Sequence, residues 1–278
     1  MPLTSPRFRN EPKLQEVEVG SRLLKDGSNG RHVHLVQMAL IDLGFAMPRS
    51  TTSNHFSPDG IYGPETTEVV KAFQRSTPLL ADDGKIGPET MRALDARFPS
   101  FSHRVNLHFR SLSLSNVPFD RMLSSMERVY GQYGIEARFA SGESLMLSEE
   151  EQSRFSVVNQ NCEWVMDDGE FAELHQMGTR VPPHDVAVYI VRRFQEAGLL
   201  GCGGHATNRP ACAVSHDAGR HDVAHEVCHV LLTSSFNPVH AGDQRNLMHA
   251  TTTGETYSPT LTDKQLARMR ASPLCRAI

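Results

Sequence analysis

The stretch His225-Glu226-Val227-Cys228-His229 decides how the rest of the chain is read. Four residues make slightly more than one helical turn, so on a helix His225 and His229 project from the same side. One imidazole nitrogen from each can then hold a Zn²⁺ ion, with Glu226 beside the metal's open position. Val223, Ala224, Val227, Val230 and Leu231 recur at helical spacing on nearly the opposite side. That stripe suits burial in a core, which leaves the two histidines facing a cleft. Cys228 lies inside the motif but points away from the histidines, and reads as a packed thiol or half of a disulfide, with metal ligation a minor option. A third ligand must come from elsewhere, and the histidine-rich segment downstream offers His240 and His249. His205 and His216 precede the helix and read as substrate-orienting or surface histidines.

With 278 residues the chain suits two domains of ordinary size. Hydrophobic residues at 39% and charged residues at 22% describe a globular chain with material for a core. A net charge of −4 and the lack of a strong basic run argue against nucleic acid as main partner. No apolar run approaches the length of a membrane span. Residues 1–20, MPLTSPRFRNEPKLQEVEVG, lack the apolar centre of a secretory signal. The five cysteines (Cys162, Cys202, Cys212, Cys228, Cys275) are odd in number, follow residue 160 and form no Cys-x-x-Cys pair, which argues against a zinc ribbon.

Residues 1–19 are polar, with no periodicity, and are expected to be a mobile leader. Val33, Leu35, Val36, Ala39, Leu40 and Leu43 predict a helix that stops at Gly44, and Met47 to Pro58 reads as a loop. Then comes an internal repeat. Asp59-Gly60-Ile61-Tyr62-Gly63-Pro64-Glu65-Thr66 is echoed by Asp83-Gly84-Lys85-Ile86-Gly87-Pro88-Glu89-Thr90. Each copy combines a glycine turn, a proline fit for a first helical turn and an acid near the helix start. Each leads into a short amphipathic helix, so residues 20–98 are expected to form a three-helix domain, with 99–102 as linker.

From 103 to 278 a mixed α/β domain is expected. Arg104–Leu114 and Ile135–Ala140 read as strands around a helix at Pro118–Tyr133. Asp185–Phe194 carries the strongest strand signal and is the candidate exposed edge for holding an extended substrate. A glycine-rich loop at 198–204, a strand at Ala211–His216, the histidine helix and a last helix within Pro259–Ser272 follow. The acidic patch Asp167-Asp168-Gly169-Glu170 is of a type that can hold Ca²⁺, although a solvated loop is the better reading.

Residues 20–98, with their doubled Asp-Gly-x-x-Gly-Pro-Glu-Thr, resemble the peptidoglycan-binding domain of bacterial wall hydrolases, found in related form in matrix metalloproteinase propeptides. The resemblance implies a helical module for murein glycan or peptide stems, or a docking unit. Tyr62 could stack on a sugar there, or simply pack the turn. The propeptide cysteine that caps zinc in matrix metalloproteinases has no counterpart before Cys162, which excludes that mode of inhibition for this region.

The second half resembles the metzincin clan of zinc endopeptidases, whose pattern is His-Glu-x-x-His-x-x-Gly-x-x-His with a methionine turn downstream. His225, Glu226 and His229 match, but Leu232 stands at the glycine and Ser235 at the third histidine. Without that glycine the helix is expected to run to about Ser234, until Asn237-Pro238 breaks it. His240 then becomes the third ligand on the returning chain, with Asp243 its first rival and His249 its second. Asn246-Leu247-Met248 resembles the methionine turn, with Met248 beneath the ligands. The resemblance implies one catalytic Zn²⁺, Glu226 as general base and a polypeptide substrate, in a bacterial wall or extracellular setting, with the cytoplasm left open. A murein peptidase and a non-catalytic wall-binding protein are the competing readings.

Overall fold

The computed structural model describes residues 1–52, 57–251 and 259–278, and the chain falls into two units. The first comprises Met1–Ser102 with the short segments Gly131–Ile135 and Thr262–Leu266. The second comprises His103–Tyr130, Glu136–Leu261 and Ala267–Ile278.

In the first unit the helices are α1 (Pro12–Glu18), α2 (Arg31–Asp42), α3 (Pro48–Thr52), α4 (Pro64–Ser76) and α5 (Pro88–Asp95). The expected mobile leader is instead packed. Leu3, Phe8, Leu14 and Val17 are buried in the same cluster as Val33, Val36, Tyr62, Phe73 and Leu94. Pro12 starts α1 at a position where the missing N–H costs nothing, and the Glu11 side chain accepts from the N–H of Lys13. The apolar side chains are spaced too irregularly to show a period. Their burial nevertheless contributes about 1.5–3 kcal/mol each, enough to hold a segment of this length. Part of the expected Met47–Pro58 loop is the helix α3; positions 53–56 of it lie outside the described residues.

The repeat is locked by two glutamines that its eight-residue pattern does not contain. The Gln37 Nε2 amide lies at 3.0 Å from Asp59 Oδ1, 3.1 Å from the Ile61 carbonyl and 3.0 Å from Thr66 Oγ1. Its Oε1 accepts from the N–H of Gly60 at 2.9 Å. Gln74 repeats the arrangement with Asp83, the Lys85 carbonyl, Thr90 and Gly84. Gly60 and Gly84 adopt φ of 71° and 70°, which explains the glycine in each copy. Tyr62 is fully buried, and its hydroxyl donates to the Gly84 carbonyl at 2.8 Å. Of the two readings of Tyr62, its burial favours packing over sugar stacking: the ring fills the core between the two turns.

The second unit carries a mixed sheet. Its elements are β1 (His103–Ser111), α6 (Phe119–Gly131), β2 (Ile135–Ser144), α7 (Glu149–Arg154), α8 (Gly169–Leu174), β3 (Val186–Val191), β4 (Gly201–Cys202), β5 (Ala211–Ser215), α9 (Asp222–Leu232), α10 (Asp263–Arg270) and β6 (Arg276–Ala277). The strand order is β2-β1-β3-β5-β4, with β6 added to β1. β1, β3 and β5 run parallel, whereas β4 is antiparallel to β5. All six residues of β3 are buried, as a continuous apolar run in a parallel sheet requires. β3 is thus a central strand, and the expectation that Asp185–Phe194 forms the exposed edge is overturned. Beyond β5 the sheet ends at β4, hidden in the glycine-rich loop, where the sequence has almost no side chains to signal a strand.

Cys162 and Cys202 form a disulfide that ties the 162–167 segment to β4, while Cys212, Cys228 and Cys275 are buried thiols. The Cys228 Sγ packs at 3.7 Å from Met269 Sδ, on the core side of α9. The acidic patch does not converge on a point. The Asp167 carboxylate accepts from the N–H and hydroxyl of Thr207, and Glu170 accepts from the N–H of Asn159. These bonds use the two carboxylates as loop staples.

Candidate active site

All eleven residues of α9 are buried, and the helix packs on β5, β4 and β3. Its apolar residues enter the core, and its histidines reach a cleft of about 460 Å³. The Nδ1 of His225 lies 2.7 Å from the Leu247 carbonyl. A carbonyl only accepts, so Nδ1 carries the proton and the Nε2 lone pair is turned towards the cleft. His229 Nε2 stands 2.9 Å from His225 Nε2. The His240 ring stacks on His225 with centroids 5.4 Å apart and meets His229 edge-on at 5.0 Å.

One nitrogen from each of His225, His229 and His240 falls within 4.8 Å of the others, and among the described residues no other such group occurs. Burial pushes the His229 imidazole down to about 3, assisted by His225 and His240. Burial also lowers His225 and His240. Three neutral imidazoles that aim lone pairs at one point form a donor set suited to a borderline-soft cation. Tetrahedral zinc holds its nitrogen ligands about 3.4 Å apart, given Zn–N bonds of about 2.1 Å. The 2.9 Å between the His225 and His229 nitrogens and the 4.8 Å limit on the whole set lie either side of that spacing.

His240 is delivered by backbone pairing. The Ala241 N–H donates to the Met248 carbonyl at 2.7 Å, and the Met248 N–H donates to Asn246 Oδ1 at 2.9 Å. Met248 is buried beside this turn. Asp243 lies outside the converging set, its Oδ1 accepting from the N–H of Arg245 at 2.9 Å. His249 is also outside it, its Nδ1 at 2.8 Å from the Thr251 carbonyl. His216 pairs with Asp217, and His205 lies against the Ala206 carbonyl.

The helix does not extend to Ser234. It stops at Leu232, and Thr233 takes φ 64° and ψ 170°, a region that belongs essentially to glycine. The strained turn therefore falls one residue after Leu232 and is held from outside. Arg268 donates to the Leu232 carbonyl at 3.0 Å, to Thr233 Oγ1 at 2.7 Å and to Ser235 Oγ at 3.0 Å.

Glu226 lines the same cleft. Burial raises its carboxyl well above the usual range, with Asp222 adding to the effect. Among the described residues nothing hydrogen-bonds its carboxylate, which leaves the group open for proton transfer. Room for it comes from the glycines around β4. A Cβ on Gly201 would strike the Glu226 carboxylate, one on Gly203 would strike the His229 Cβ, and one on Gly204 the Glu163 carbonyl. None of the three adopts a positive φ, so close approach is their reason for being glycine. The glycines are plain in the sequence, but this role is not. Nor does the sequence signal Trp164, whose ring meets His229 edge-on at 5.7 Å, or the cleft-lining carboxylates Glu163 and Glu196.

Fold and site together define a helical segment joined to a sheet-bearing unit with a three-histidine cleft. Residues 29–94 match the family described as putative peptidoglycan binding domain. A probable N-acetylmuramoyl-L-alanine amidase of Bacillus licheniformis is 38% identical over 74 residues, covering 27% of this chain and 19% of that protein. The amidase CwlL of the same organism is 39% identical over 74 residues with the same coverage. The chain thus spans under a fifth of the length of these curated relatives. Among solved structures, metalloproteinase-II from Bacteroides fragilis aligns with a TM-score of 0.40 and 10% identity, covering 61% of this chain and 53% of that one. Archaemetzincin from Methanopyrus kandleri aligns with a TM-score of 0.29 and 16% identity, covering 61% and 88%.

Proposed function

We propose that this chain is a zinc-dependent endopeptidase of metzincin type, brought to the bacterial cell wall by its N-terminal helical segment. The observation that carries the reading is the convergence of His225, His229 and His240 in a cleft also lined by Glu226. The three imidazoles would hold one Zn²⁺ ion, and Met248 would lie in the turn supporting them. When bound, the ion supplies Lewis acidity and brings a water's pKa towards neutrality.

Glu226 takes a proton from the attacking water, whose oxygen adds to the peptide carbonyl carbon. It then passes that proton to the leaving nitrogen as the C–N bond breaks. A cation held by the three imidazoles would counter the burial that raises the Glu226 carboxyl and so favour its acting as proton acceptor and then donor. β4 ends the strand order and lines the cleft through Gly201, and would be the strand against which an extended substrate lies. Glu226→Ala should abolish hydrolysis while one zinc per chain is retained; full activity in that variant would overturn the mechanism.

A second reading, a murein peptidase acting on stem peptides, is favoured by the peptidoglycan-binding match at 29–94. Digestion of purified sacculi beside denatured casein separates the two. Release of stem peptides with casein untouched would replace the protein-cutting reading. A wall-binding protein without catalysis would bind sacculi and cut neither.

A further inference from the structure

The cleft has a one-sided charge. Glu163, Glu196, Asp222 and Glu226 line it, and among its described lining residues none is lysine or arginine. Two of these acids have internal explanations. Asp222 accepts from the N–H of Gly219 at 2.8 Å near the start of α9, and Glu226 lies against Gly201 beside the imidazoles. Glu163 and Glu196 have none. Both are exposed at the rim, and among the described residues neither carboxylate makes a hydrogen bond or ion pair.

Their backbones are nevertheless fixed. Glu163 sits between Cys162, which is bonded to Cys202 of β4, and Trp164, whose ring rests on His229. Its carbonyl presses so closely on Gly204 that no side chain fits there. Glu196 lies in the turn leading into β4, where its carbonyl accepts from the N–H of Leu199 at 3.2 Å. Both residues thus belong to the cleft wall around β4, Glu196 in the turn before it and Glu163 against Gly204 just after it. A chain that enters the cleft meets both.

We propose that the cleft selects substrates carrying a cationic amine or guanidinium close to the bond presented to the three histidines, and that Glu163 and Glu196 receive it. The claim rests on the peptidase reading above and names its substrate class. A positive side chain there meets two carboxylates that no protein cation already neutralises, within a concave wall that limits screening. An acidic side chain in the same place meets only repulsion.

The test uses the full-length chain carrying Glu226→Gln, both zinc-loaded and zinc-free. Extended peptides that differ only by one lysine, glutamine or glutamate, walked along the sequence, are titrated while following the fluorescence of Trp164, the single tryptophan. Calorimetry supplies a second readout. At one or two positions lysine should bind about tenfold tighter than glutamine, with glutamate weakest, a contrast of the size two rim ion pairs supply. The preference should shrink as ionic strength rises from about 0.01 M to about 0.1 M, because the screening length falls from about 30 Å to about 10 Å. Glu163→Gln with Glu196→Gln should remove it without shifting the thermal midpoint.

Equal binding of lysine and glutamine peptides at every position overturns the inference. So does a lysine preference that survives the double substitution. Cleavage of these peptides by the unsubstituted chain separates the two claims. Hydrolysis without lysine preference overturns only the charge selection, whereas lysine-dependent binding with no hydrolysis supports the selection and removes the peptidase reading.

Discussion

His225 donates through Nδ1 to the carbonyl of Leu247 at 2.7 Å. That single bond joins the helix bearing two of the converging histidines to the turn containing Met248. The same turn accepts the Ala241 N–H that brings the third histidine back. One short loop thus sets both the tautomer of His225 and the position of His240. Such partners around a metal typically change affinity by about 10–100-fold when removed. Asn246→Ala takes away the acceptor of the Met248 N–H and should weaken zinc binding by about tenfold or more. Competition with a chelator of known affinity measures this; unchanged affinity would show that the turn needs no such support.

His240 and Asp243 are separable by substitution. His240 stacks on His225, while Asp243 is engaged by the N–H of Arg245. His240→Ala should lower zinc content below one ion per chain after dialysis, and Asp243→Ala should leave one ion in place. Metal analysis of both purified variants decides, and the reverse result would move the third ligand to Asp243.

Much of this arrangement can be read in the sequence where a period or a steric rule governs it. The His225–His229 pair follows from the helical repeat, and the paired glycine turns follow from positive φ at Gly60 and Gly84. The mixed α/β class was legible in the same way, since β3 and β5 are continuous apolar runs. Legibility fails where long-range pairing decides. β4 is two residues long and defined by its partner β5, so no pattern announced it. The leader packs through irregularly spaced Leu3, Phe8, Leu14 and Val17, which only the assembled core relates. Thr233 at a glycine-type conformation depends on Arg268, a residue 35 positions later. Tyr62 left two readings open because an aromatic beside a turn looks alike whether it faces a ligand or the interior.

His175 makes stability depend on acid. Both of its ring nitrogens are buried without a hydrogen-bond partner among the described residues, and burial pushes its pKa down to about 3. The folded state therefore prefers the neutral ring, whereas the unfolded chain binds a proton near pH 6.5. This contribution is fully present above about pH 6.5 and is lost as pH falls towards 3. At pH 5 the loss relative to pH 7.5 is about 2 kcal/mol. His175→Phe keeps a ring between Phe171 and Tyr189 and removes the titration. Urea unfolding at pH 7.5 and pH 5 should show a loss smaller by about 2 kcal/mol for the variant than for the unsubstituted chain, the remainder coming from other buried histidines such as His32, His221 and His229; equal pH sensitivity of both would sink the assignment.

The end of α9 offers a test of strain held by a distant side chain. Thr233 sits at φ 64° and ψ 170°, which costs a β-branched residue about 1–3 kcal/mol. Arg268 offsets this by binding the Leu232 carbonyl and the Thr233 hydroxyl. Arg268→Ala should therefore destabilise the chain by about 1–2 kcal/mol, as hydrogen bonds to a charged group usually do when one partner is removed. It should also weaken zinc binding, because the segment from Thr233 leads to His240. Thr233→Gly relieves the strain but adds unfolded-state entropy of about 1 kcal/mol, so alone it should be nearly neutral. In the Arg268→Ala background the hydroxyl bond is already gone, and glycine should recover part of the lost stability. Thermal and urea unfolding of the two single variants and the double variant give the coupling directly. Strictly additive effects would mean that Arg268 and the Thr233 conformation are independent, and that something else ends the helix at Leu232.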